Sequence, residues 1–211
     1  MLGKCIGRYW LAALTVLLTT GAIPSRADLV IGNLPPDNDL NASLIGFGQT
    51  ATMGFTMGSS SYALTDAELR LGLIDPSSTA PLLQLWSNAS GKPGTSLLTF
   101  TNPSLSTSPH TYTFAPSTAF TLQSNTTYWL DLTSSSTTGA FFLWLGSNPA
   151  VTPTGSGATF FGTTNANGVL DSFQVDGILV PEPSTLFIVV ATAPLSGLGF
   201  WCFKRRRRAA A

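Results

Sequence analysis

The chain has 211 residues, with ten Lys and Arg balanced by ten Asp and Glu, and its single histidine and two cysteines leave little material for metal or thiol chemistry. The zero net charge averages unlike parts: between residues 28 and 182 the bases are Arg70 and Lys92 against ten acids, a balance of −8 that excludes nucleic acid as a partner. Cys5 and Cys202 lie in or beside the apolar end segments, so the stretch between them has no disulfide or thiol to offer.

Residues 1–27 read as a secretory signal peptide. Lys4 and Arg8 supply positive charge, an apolar core runs from Tyr9 towards Ile23, and Ser25-Arg26-Ala27 sets small residues at the two positions a signal peptidase reads. Cleavage is expected after Ala27. The alternative, an uncleaved N-terminal anchor, is disfavoured by the short core and the small-residue site behind it. Cys5 precedes the apolar core, so it does not suit a lipoprotein signal.

Residues 28–180 predict one all-β domain, an antiparallel β-sandwich of jelly-roll-like type. The apolar period is near two: Ala67, Leu69, Leu71 and Leu73 alternate with Glu68, Arg70 and Gly72, and Tyr128, Leu130 and Leu132 alternate with Trp129 and Asp131. Further strands are expected at 50–57, 82–86, 97–101, 111–114, 141–145, 158–162 and 172–180. The segment 65–70 could pass for a short helix, and strand is preferred. Asp75-Pro76, the run from Asn88 to Gly94, Asn102-Pro103 and Asn165 to Gly168 supply turn residues between the strands.

Residues 181–211 have three ordered parts. The motif Pro181-Glu182-Pro183 leads into an uncharged apolar stretch, 186–203, and then Lys204-Arg205-Arg206-Arg207-Arg208. As a helix that stretch is about 27 Å long, near the hydrocarbon thickness of a bilayer. A charge placed inside it would cost roughly 3 kcal/mol. The basic run is expected on the cytoplasmic side, which puts everything before Pro181 outside the cytoplasm.

This arrangement resembles the PEP-CTERM sorting signal of Gram-negative bacteria. The resemblance implies processing by exosortase, a membrane-embedded cysteine protease or transpeptidase, in species that make extracellular polysaccharide. A GPI signal ends in its hydrophobic segment, whereas this chain continues into arginines. The body resembles the choice-of-anchor domains, the R type above all, in the order of Ala51 to Thr56, Tyr62 to Thr65, Leu85 to Asn88 with Gly91 to Gly94, and Thr126 to Leu130. That likeness implies a sandwich in an extracellular setting and supplies no catalytic residue.

The chemistry-bearing residues are sparse. His110, in Ser108-Pro109-His110-Thr111, could complete a Ser-His-Asp triad on paper, but no serine sits in a Gly-x-Ser-x-Gly elbow, and a loop role is expected. One histidine without cysteines cannot build a zinc site. Asp37 and Asp39 open an oxygen-rich stretch that could hold calcium if Asp171 or Asp176 joined them; the alternative is a solvated Asx turn. Asp66 and Glu68 fall on the wet face of their strand and suggest no glycosidase pair. Among the aromatics Trp86, Trp129 and Trp144, Trp129 is the candidate glycan contact because it faces away from Tyr128 and Leu130; the alternative is that such rings fill the core. The sequons at Asn41, Asn88 and Asn125 are expected by chance in so Ser/Thr-rich a chain.

Together these features predict a non-enzymatic protein exported through the inner membrane, anchored transiently and then placed in the envelope or extracellular matrix as a structural or adhesive component. Its expected partners are the membrane, an exosortase-like protease and polysaccharide. Three rivals are a carbohydrate-binding module, a matrix-polymer hydrolase and an uncleaved single-span membrane protein. No catalytic residue and no cofactor beyond calcium is assigned.

Overall fold

The computed structural model describes residues 26–72, 81–135, 141–165 and 168–181. Among them there is no helix, and twelve strands pair antiparallel throughout. They are Asp28–Gly32 (β1), Asn41–Ile45 (β2), Thr50–Met57 (β3), Tyr62–Gly72 (β4), Pro81–Ala89 (β5), Lys92–Thr101 (β6), His110–Pro116 (β7), Thr121–Leu122 (β8), Thr127–Ser134 (β9), Phe142–Gly146 (β10), Ala158–Thr163 (β11) and Phe173–Leu179 (β12). The pairing order β1-β12-β4-β7-β6-β5-β9-β3-β11 curls into a barrel-like body, with β10 joined to β2 and β4, and β8 to β4.

The alternating residues face inward as their period requires. Leu69, Leu71, Tyr128, Leu130 and Leu132 are all buried, together with Phe55, Phe114, Phe142, Trp144 and Phe173. β4 keeps its apolar face inward over eleven residues by means of a bulge. Asp66 pairs with Asp176 but Leu64 pairs with Gly177, so β4 carries one extra residue, Thr65. That slip lets Tyr62 and Leu64 point the same way as Ala67, Leu69 and Leu71. The segment 65–70 is strand, as the alternation of its apolar residues predicts.

Three strands have no periodic signal. In β1 a register irregularity between Leu29 and Ile31 buries the consecutive residues Val30 and Ile31, so no alternation survives. β2 reverses the usual order: Ser43 bonds inward to Asp171, while Leu44 is 48 % exposed. β8 has just two residues.

The barrel closes at two places. Phe100 and Thr101 of β6 pair with Pro116 and Ala115 of β7 and turn the corner between two faces. On the opposite side, Gly32 and Thr154 exchange backbone hydrogen bonds of 2.8 Å each, and Gly157 donates to the Val30 carbonyl at 3.1 Å. Gly155 makes this approach possible, since a Cβ there would lie 2.1 Å from the Val30 oxygen and 2.6 Å from the Ile31 Cα. Both are backbone atoms that cannot swing aside. Gly155→Ala is therefore expected to lower stability by about 1–3 kcal/mol, read as a lower melting midpoint. Gly58→Ala, whose Cβ would meet the Gly157 oxygen at an ordinary 3.4 Å, is the control and should change little. Equal midpoints for the two variants would refute the role given to this closure.

Candidate functional site: a neutral cleft beside Trp129

Trp129 lies on the outward face of β9, as its alternation with Tyr128 and Leu130 requires, yet it is only 2 % exposed. Three neighbours cover it. Gly54, its partner on β3, lets the indole lie flat against the sheet: a Cβ there would come within 2.8 Å of the ring. A bulge in β11 between Phe160 and Gly162 turns Phe161 outward, and its ring meets Trp129 edge-on at 5.6 Å and 88°. The indole Nε1–H donates to Asn88 Oδ1 at 3.1 Å. Trp129 thus offers no open face for a sugar to stack on, because Phe161 occupies that place. Trp144 is also closed off, buried in the core with its Nε1–H bonded to the Ser172 carbonyl at 3.0 Å.

Asn88 connects this covered aromatic to an open cleft of about 650 Å³ at one end of the barrel. The residue is the last but one of β5, separated by Ala89 from a two-residue turn in which Ser90 and Gly91 have φ of 53° and 82°, the conformation that tight hairpins demand. Its Oδ1 accepts from Gly91 N–H at 3.1 Å as well as from Trp129. Two donors on one oxygen fix the amide's orientation and direct its NH₂ away. The opposite wall is the loop into β9, where Gln123 N–H donates to the Tyr128 hydroxyl at 3.0 Å and Asn125, at φ 54°, donates its N–H to the Gly58 carbonyl at 2.8 Å. Phe120 packs edge-on against Tyr128 at 6.0 Å and, with Leu97, adds apolar surface. Among the described residues, no ionisable group other than the Tyr128 phenol lines the cleft.

The other candidates separate. Asp39 makes a two-pronged ion pair with Arg70, 3.1 Å from Nε and 2.7 Å from Nη2, so a guanidinium holds the carboxylate proposed for calcium. Asp37 contributes its backbone N–H to Ser147 Oγ at 2.9 Å. Among the described residues no three His, Cys, Asp or Glu come together as a metal site, so Asp171 and Asp176 do not complete the calcium set. His110 opens β7 opposite Leu71 rather than sitting in a loop, and its ring meets Tyr112 edge-on at 5.3 Å. Asp66 and Glu68 are half-buried rather than fully wet. Burial raises the Asp66 pKa, and the neighbouring Asp176 and Glu68 charges add to it. Ala27 and Pro181 are exposed residues at the two ends of the described body. Glu182, Pro183, the 186–203 stretch and Lys204 to Arg208 lie outside the described residues. No described helix is long and apolar enough to cross a membrane.

Two buried carboxyls are structural. Asp171 is fully buried and accepts hydrogen bonds from Ser43 N–H at 3.2 Å and Asn165 Nδ2 at 2.8 Å. Asn165 in turn accepts from Thr52 N–H at 2.9 Å, so this group ties β2, β3 and the segment before β12 together. Burial pushes the Asp171 pKa up to about 7, against the pull of its hydrogen bonds from Ser43 and Asn165. Asp131, flanked across the ladder by Thr52 and Gln84, is raised by burial to about 6.

No protein-family model matches this sequence, and no curated protein matches it.

Two outcomes follow from these carboxyls. Both pKa values rise on folding from 3.8, so the folded state holds the protons more tightly than the unfolded chain. Their contribution is complete below about pH 4 and disappears as pH rises through about 6 for Asp131 and about 7 for Asp171. The melting midpoint should therefore fall from mildly acid to neutral pH, and Asp171→Asn should flatten the upper part of that fall. An unchanged slope in the variant would contradict it. For the Asp39–Arg70 pair, adding EDTA to protein prepared with calcium should leave the midpoint unmoved; a drop of several degrees would restore a calcium site.

Proposed function

We propose that this chain is an exported, non-enzymatic protein of the cell envelope or extracellular matrix, with a structural or adhesive body of the jelly-roll-like sandwich kind. On this reading a signal peptidase removes residues 1–27, and the 186–203 stretch holds the precursor in the membrane with Lys204 to Arg208 on the cytoplasmic side. An exosortase-like protease then acts at Pro181-Glu182-Pro183, the motif that resembles a PEP-CTERM signal. The observation that carries the reading is where backbone pairing begins and ends. β1 opens at Asp28, immediately after the expected cleavage point, and the final ladder bond runs from Val180 N–H to the Ser61 carbonyl at 2.9 Å. Pro181 follows and has no N–H to give. Cutting at both places leaves all twelve described strands intact.

The prolines disfavour helix before position 184 and keep the motif extended, where a protease can engage it. Glu182→Gln, or Pro181→Ala with Pro183→Ala, should therefore leave a full-length species in the membrane fraction of the native host. Intact-mass measurement of membrane and medium fractions checks this. The same mature mass and the same release in wild type and variants would overturn the sorting role.

A further inference from the structure

We infer that the cleft between the end of β5 and the 120–128 segment binds a neutral saccharide chain through the side-chain amides of Asn88, Gln123 and Asn125. The inference gives the adhesive reading above a ligand, and rests on that reading only for the setting in which the ligand is met.

The first support is hydrogen-bonding capacity left open. Asn88 spends its oxygen on Gly91 and Trp129, and its NH₂ has no partner among the described residues. The Gln123 and Asn125 side chains likewise make no hydrogen bond there, although their backbones are tied to Tyr128 and Gly58. Three amides on anchored backbone therefore surround one cleft, each offering paired donor and acceptor groups to a ligand. The second support is charge. With no cation and no carboxylate among the described residues of the lining, the cleft offers no charge there to neutralise a phosphate, a uronate or an ammonium group. Vicinal hydroxyls, which donate and accept at once, match amides and threonine hydroxyls. The third support is the wall of Phe120 and half-exposed Leu97, a surface for the C–H face of a pyranose ring. A peptide fits less well. β5 lies between β6 and β9, and β9 between β5 and β3, so neither presents a free edge for an added strand.

Asn88 also gives the site its own reporter. Because the same amide holds the Trp129 indole, a ligand drawing on the Asn88 NH₂ should shift tryptophan emission.

The test uses full-length protein in an amine-oxide detergent, which carries no sugar headgroup to compete. Dextran, sodium alginate and a neutral Ser/Gly/Asn peptide are titrated against tryptophan emission and checked by retention on immobilised polymer. Dextran should bind and shift the emission, while alginate and peptide should not. Gln123→Ala and Asn125→Gly, the latter keeping the positive φ, should each weaken dextran binding by roughly three- to ten-fold at an unchanged melting midpoint. Absence of dextran binding, equal binding of alginate or peptide, or variants that bind like wild type would each overturn the inference. Failure here with normal tail processing leaves the export reading standing, and binding without processing does the reverse.

Discussion

Backbone pairing along β4 is the constraint on which the rest of the body depends. Its eleven residues meet β12 and then β10 along one edge, and β8 and then β7 along the other, so four strands take their register from one. The stretch between the two cysteines contains no disulfide, so this ladder and the apolar residues beneath it carry the burden that cross-links bear in many exported domains. The bulge at Thr65 matters for the same reason. Without it, strict alternation would either turn Tyr62 and Leu64 outward or turn Asp66 and Glu68 into the core.

What the sequence displays and what it hides follow from which residues face inward. β4 and β9 are legible because leucines at every second position lead to the core, and their partners are found where that alternation places them. β2 is not, because its inward Ser43 meets a carboxylate from a segment more than a hundred residues away while its leucine points to water. A periodic reading assumes that inward means apolar, and the Asp171–Asn165 group breaks that assumption. The outward placement of Trp129 was readable from alternation. Its covering was not, since that depends on a missing side chain at Gly54 and a bulge beside Phe161, both on other strands.

The cleft illustrates a further limit. Asn88 looks like a turn residue and Asn125 like part of a chance sequon, and both descriptions are correct locally. Their shared surface arises because β5 ends where β9 begins, a consequence of antiparallel pairing between Ser87 and Tyr128. Positive φ at Asn125 and Ser90 is the nearest thing to a local signal, marking both walls as backbone held in uncommon conformations by specific bonds.

The antiparallel pairing of β1 with β12 sets Asp28 opposite Gly177, so the chain enters and leaves the barrel at one corner. Leu29, Leu179 and Val180 are all partly exposed at that corner. Any attachment made through either end would therefore meet the body at that one corner. Its two ends could be spliced through a short loop, or the whole barrel inserted into a surface turn of another protein, with the strand order intact.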